Sequence, residues 1–137
     1  MITTDICVRS YELDSYGHVN NAVFLQYFEI VRTQWLLAAG LEFSEIKSYG
    51  ILIVVRNAEI SYTSPAYMGD MLTCSCSVVE RTGATITFEY QITALERGAS
   101  VASGRTLVAC ICSTKLRPLR WPNAIRTLVD DATKKAN

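Results

Sequence analysis

The sequence has no surplus of either charge. Thirteen Lys and Arg offset thirteen Asp and Glu in 137 residues, which leaves no electrostatic footprint for nucleic acid or an anionic membrane surface. A charged ligand would have to be met by a local patch. No basic-then-apolar leader opens the chain, because MITTDICVRS begins polar and passes straight into a strand-like pattern. No uncharged apolar run reaches bilayer length either, since the richest stretch, Ala22 to Gly40, includes Gln26, Glu29, Arg32 and Gln34. Repeats, low-complexity tracts and Pro/Gly linkers are likewise missing, so residues 1–137 are expected to form a single domain with a real core. These absences point to a soluble, cytoplasmic protein with no nucleic-acid and no membrane partner.

Five cysteines, an odd number without a secretory leader, argue for reduced thiols. Cys74/Cys76 and Cys110/Cys112 are spaced C-x-C, which on a strand turns both members of a pair to one side. A zinc knuckle wants C-x2-C. Small apolar side chains packed in a sheet fit the spacing better, and no metal or other cofactor is expected.

What the chain does contain is periodicity. Ile2 to Ser10 alternates well enough for a first strand. Asn20 or Asn21 can cap a helix whose apolar run ends at Gly40, about twenty residues later. Its apolar residues cover nearly the whole circumference, which predicts an enclosed helix. After the polar connection EFSEIKSYG come four strand patterns: Ile51 to Tyr62, Met71 to Arg81, Ala84 to Glu96 and Ser100 to Ser113. The period of two is cleanest in the third, where Ile86, Phe88, Tyr90 and Ile92 alternate with polar residues. The short glycine-bearing connections RTGA and RGAS predict antiparallel hairpins. An α+β fold follows: one antiparallel sheet, laid down as a meander, curling around one long central helix. Its open edges invite pairing with a second copy.

Chemistry concentrates in ELDSYGHVNNAVFLQYFE, which sets an aspartate and the only histidine just ahead of that helix. Asp14 precedes the first helical turn by six or seven residues, and Gly17 permits a sharp turn between them. A helix start presents unpaired N–H groups and the positive end of the dipole. The amides near Asn21 and Ala22 could therefore hold an oxygen that turns negative during a reaction. A nearby carboxylate could act as base or nucleophile on the same carbon, and acyl transfer needs both parts. Taken singly, Asp14, His18, Asn20 and Asn21 are all adequately explained as turn and cap residues.

Their combination is more specific. DSYGHVNNAVFLQYFEIVR resembles the signature of the 4-hydroxybenzoyl-CoA thioesterase family of hot-dog-fold enzymes. SYTSPAYMGD resembles that family's strand-to-loop segment after the helix. KLRPLRWPNAIR resembles the C-terminal tail of plant acyl-carrier-protein thioesterases. The resemblance implies dimers and often tetramers, with the active site at the dimer interface. It casts Asp14 as nucleophile or general base, and the amide of Asn21 as donor to the thioester carbonyl. His18, with Gly17 and Asn20 in the same turn, would shape the pocket or position the carbonyl, and Tyr27 or Phe28 could line the acyl site. The phosphate of CoA or of a carrier protein's phosphopantetheine calls for cations near the mouth. Arg117, with Lys115 and Arg120, is the best local supply, and Arg56 and Arg81 are others.

The reaction expected is hydrolysis of an acyl-CoA or acyl-carrier-protein thioester. A hot-dog hydratase or dehydratase using an Asp14/His18 pair is the rival within enzymes, and a non-catalytic acyl-thioester binder the rival outside them. Glu29 and Arg32, three apart on the helix, are expected to form an ion pair.

Overall fold

The computed structural model describes residues 1–136. Five strands form one antiparallel sheet: β1 (Ile2–Cys7), β2 (Ile51–Tyr62), β3 (Met71–Arg81), β4 (Thr85–Ala94) and β5 (Ala99–Cys112), in the order β1-β3-β4-β5-β2. A short 3-10 turn at Ser10–Glu12 precedes the long helix α1 (Val23–Ala38); α2 (Phe43–Ser48) and α3 (Asn123–Ala136) complete the chain. Register shifts at Val55/Asn57, Val78/Glu80 and Ile92/Thr93 kink three of the strand pairs, the usual source of local bending and extra twist. The sheet curves around α1, which is the hot-dog arrangement.

The alternation in β4 explains the packing. Ile86, Phe88, Tyr90 and Ile92 are all buried and meet α1, with Phe28 stacked on Tyr90 at 4.2 Å and Trp35 edge-on to Phe88 at 5.5 Å. Gly104 in β5 makes this approach possible. A Cβ there would sit 2.8 Å from Phe28 Cε2, closer than carbon atoms tolerate. Cys74, Cys76 and Cys110 are buried among these residues, and burial pushes the first two thiols up to about 12 and the third up to about 11. They pack as neutral side chains.

Four expectations are corrected. The four later strands do not run as one meander. β3, β4 and β5 do, but β2 pairs only with β5 and closes the far edge, because β3 already lies between β1 and β4. The helix has 16 residues; the backbone of Asn20 and Asn21 belongs to the turn before it, and Gly40 at φ +89° stops the chain just after it. Nor is α1 enclosed all round. Phe24, Tyr27, Phe28, Val31 and Trp35 form one buried stripe, while Leu25 and Leu37 are 43% and 45% exposed. Finally, EFSEIKSYG and the tail contain helices: α2 buries Ile46, and α3 buries Ile125 and Val129 while Asp130 takes a forked ion pair from Arg81. Among the described residues, no helix is long and apolar enough to cross a membrane.

Candidate active site

Between β1 and α1 the chain makes a tight loop held by hydrogen bonds of its own. The Asp14 N–H donates to the His18 carbonyl at 2.7 Å, and the Gly17 N–H donates to the Asp14 carbonyl at 3.2 Å. Gly17 sits at φ +79°, a conformation that costs a residue with a Cβ about 1–2 kcal/mol. The Asp14 side chain organises the same turn: its Oδ1 accepts the N–H groups of Tyr16 at 2.9 Å and His18 at 3.2 Å. No residue among those described bonds its Oδ2. The loop is then pinned to the segment before β3, where the Val19 N–H donates to the Ala66 carbonyl at 2.9 Å and His18 meets the Tyr67 ring edge-on at 5.2 Å.

The helix start is organised in the same way. Asn20 Oδ1 accepts the Ala22 N–H at 3.0 Å, and the Asn20 carbonyl accepts the Val23 N–H at 2.9 Å. The Tyr62 hydroxyl, at the end of β2, donates to the Asn21 carbonyl at 2.9 Å. The Asn21 N–H is left without a partner among the described residues. Of the two amides expected to be free, Ala22's is taken by Asn20 and only Asn21's remains.

Asp14, His18 and Asn21 line one cavity of about 360 Å³, with Phe24 on α1 and Tyr62 to Pro65 forming its other walls. Gly17 and Asn20 do not line it; they shape its rim through their backbone bonds. Tyr27 does not line it either. It is fully buried, and its hydroxyl donates to Glu12 Oε1 at 3.0 Å; burial first, and this bond second, push its phenol well above the ordinary range.

Arg117 lies elsewhere. Its carbonyl accepts the Cys112 N–H, and Cys112 pairs with Ile51 at the start of β2. The cavity lies at the other end of that 12-residue strand, roughly 36 Å away at about 3.3 Å per residue. Within one chain Arg117 and Asp14 cannot serve the same ligand. Of the other candidate cations, Arg81 is committed to Asp130, and Arg120 lies against the β3–β4 turn, 3.4 Å from where a Cβ on Gly83 would stand. The Glu29–Arg32 pair is also absent. Arg32 donates to the Tyr90 hydroxyl at 3.0 Å, which in turn contacts Thr106 Oγ1.

Two contributors were not anticipated. Tyr62 lines the cavity, and Glu12, two residues before Asp14, is a buried carboxylate. Arg9-x-x-Glu12 offered a signal, because the Glu12 carboxylate reaches back to the Arg9 N–H as an acidic residue in a first helical turn does.

Residues 8–129 match the family described as the thioesterase-like superfamily. The chain belongs to that superfamily. The long-chain acyl-CoA thioesterase FadM of Escherichia coli is 30% identical to it over 131 residues, which is 96% of this chain and 98% of FadM. The acyl-acyl carrier protein thioesterase ATL3 of Arabidopsis thaliana is 28% identical over 123 residues; the match takes in 90% of this chain but 64% of that longer relative. Among solved structures, the probable thioesterase YbaW from Escherichia coli superposes with a TM-score of 0.84 at 29% identity, covering 97% of this chain and 99% of that one. The superfamily accounts for the resemblance carried by the Asp14–Arg32 stretch, and these likenesses agree with the hot-dog arrangement of sheet and helix.

Proposed function

We propose that this protein hydrolyses acyl thioesters of CoA or of an acyl carrier protein, with the Asp14 carboxylate and the Asn21 amide as its chemical groups. One observation carries the reading: the Asp14 Oδ2 and the Asn21 N–H, neither bonded to any described residue, belong to residues lining the same cavity. With the thioester carbonyl oxygen at the Asn21 N–H, the carbonyl carbon faces Asp14. Asp14 takes a proton from water as the oxygen attacks that carbon. The resulting oxyanion is held by the amide and by the positive end of α1. Collapse breaks the C–S bond, and the departing thiolate is protonated, leaving the free acid and the thiol. The alternative route, attack by Asp14 itself through an acyl anhydride, incorporates a solvent oxygen into Asp14 in a single turnover under 18O water when water opens the anhydride at the Asp14 carbonyl carbon.

The names borne by FadM and ATL3 support both carriers as substrates. The dehydratase reading loses its dyad, since Asp14 accepts from the His18 backbone while the imidazole packs on Tyr67. His18 then helps shape the carbonyl pocket.

The protein works as a homodimer or a dimer of dimers in the cytoplasm. Among the described residues β2 has no partner on its outer edge, and α1 exposes Leu25 and Leu37. Antiparallel pairing of two such edges sets the start of one β2 beside the end of the other, which carries the second copy's Arg117 loop toward the cavity mouth and a substrate phosphate.

Thiol release from a panel of acyl-CoA and acyl-carrier-protein substrates tests the reading. Wild type is expected to turn over at least one of them, and Asp14→Asn to lose about a hundredfold or more in kcat, as removal of a general base does. Equal rates for the two proteins would remove Asp14 from the mechanism.

A further inference from the structure

Two residues before Asp14 the chain buries a carboxylate that the hydrolysis does not touch. Glu12 is 4% exposed. Its Oε1 accepts the Arg9 N–H at 2.8 Å and the Tyr27 hydroxyl at 3.0 Å, and its Oε2 accepts the Arg9 guanidinium at 2.9 Å. Its own carbonyl accepts the Asn20 N–H at 2.9 Å. A buried carboxylate is costly unless bonded in this way, and an apolar residue of similar volume would pack the same space at least as stably. The destinations of these bonds are therefore informative. They reach the turn that follows β1, the second turn of α1, and the residue immediately before Asn21.

We propose that Glu12 is a positioning residue for the thioester site, clamping the Asp14 loop to α1 through Tyr27 and Asn20 and so setting the spacing between the Asp14 carboxylate and the Asn21 amide. The inference rests on the hydrolase reading above. Asp14 is two residues from the clamp on one side, and Asn21 adjoins Asn20 on the other. Misplacement by about an ångström can cost on the order of a hundredfold in rate, so a clamp this close acts on kcat more than on ground-state binding.

The clamp holds in its charged form. Burial alone would raise Glu12, but the Arg9 guanidinium and amide and the Tyr27 hydroxyl outweigh it and hold the carboxyl below its usual range. The charged and titratable groups around it are Arg9, with Tyr11 beside that, on its own segment; Tyr27 from α1; and the Cys74 thiol of β3 behind Tyr27. Deleting the Tyr27 hydroxyl leaves the burial and removes one opposing bond. Glu12 then protonates at a higher pH, and the clamp opens earlier as pH falls.

The test measures kcat, KM, melting temperature and the pH profile of thiol release for wild type, D14N, E12Q and Y27F. E12Q is expected to lose about tenfold or more in kcat with KM within about twofold. Y27F, which removes the clamp's bond to α1, should lose kcat across the pH range with KM within about twofold. It should also lose its remaining activity at a higher pH than wild type on the acid side. An E12Q enzyme that melts like wild type and keeps kcat within twofold overturns the clamp, as does a Y27F profile with an unmoved acid limb. If E12Q gives no cooperative melt, the Y27F profile decides. If D14N is inactive while E12Q and Y27F behave as wild type, the clamp falls and the hydrolase stands. If wild type releases no thiol, both fall.

Discussion

The two ends of α1 use polar groups in opposite ways. At its start, the loop's hydrogen bonds leave a carboxylate oxygen on Asp14 and the N–H of Asn21 unbonded at one cavity. At its far end, where α3 folds over the sheet, the hydrogen bonds tie structural groups to one another. Arg81 takes both oxygens of Asp130, the Trp121 indole donates to the Thr85 carbonyl, and the Trp121 N–H donates to the Gly83 carbonyl. Both ends are rich in hydrogen bonds. The density of such contacts does not mark a site; the groups they leave unpaired do.

Substitutions can break or sharpen that contrast. The largest effect belongs to Asp14→Asn, about a hundredfold in kcat with little change in melting temperature, measured by thiol release and calorimetry side by side. Next is Gly104→Ala in the middle of the sheet, which forces a methyl group into the backbone carbonyl of Glu59 on the neighbouring strand and into the Phe28 ring. It should destabilise by about 1–3 kcal/mol in denaturant unfolding. Gly17→Ala strains the φ +79° turn beside the site and should cost roughly 1 kcal/mol in the same assay. It should also lower kcat, because the turn places Asp14. Arg81→Ala at the far end removes a pair that is partly open to solvent, so the expected loss of stability is below about 1 kcal/mol, with kcat unchanged. A far-end variant that cuts kcat as deeply as Asp14→Asn would erase the distinction between the ends.

Thiol labelling gives a fainter readout of the same contrast between open and sealed groups. Cys112, half-buried, is lowered to about 7, first by its contact with the Thr114 hydroxyl at 3.4 Å. Cys7 is exposed, whereas Cys74, Cys76 and Cys110 are sealed in the core. Alkylation near neutral pH should modify Cys112 and Cys7 and spare the other three until the protein unfolds.

Features legible in the sequence are local ones. Period-two alternation places Phe88 and Tyr90 on the inner face without reference to anything distant, and the Asp-x-x-Gly-His-x-Asn-Asn run encodes a turn and a helix start within nine residues. What depends on a remote partner was not legible. An apolar run such as Ile51–Tyr62 does not say which strand it will join, so β2 was placed in the meander and not at the edge. Helix α1 was expected to be enclosed because the sequence shows ten apolar residues, not which face the sheet covers. Arg117 is near in composition to what a phosphate needs, yet a full strand length separates it from Asp14. Tyr27 and Glu12 are 15 residues apart, and only the fold brings the phenol and the carboxylate together. By contrast, α3 carries Ile125, Leu128, Val129 and Ala132 at helical spacing, so that element was readable from the pattern alone.

The most direct measurement is the amide resonance of Asn21 in 15N-labelled protein, titrated with an acyl-CoA analogue whose thioester sulfur is replaced by methylene so that the carbonyl remains and hydrolysis is blocked. A proton received by that carbonyl should move strongly downfield at Asn21, while Ala22, already bonded to Asn20, should barely move. A bound analogue that leaves Asn21 unshifted, or that shifts Ala22 instead, would contradict the assignment of the Asn21 amide to the thioester oxygen.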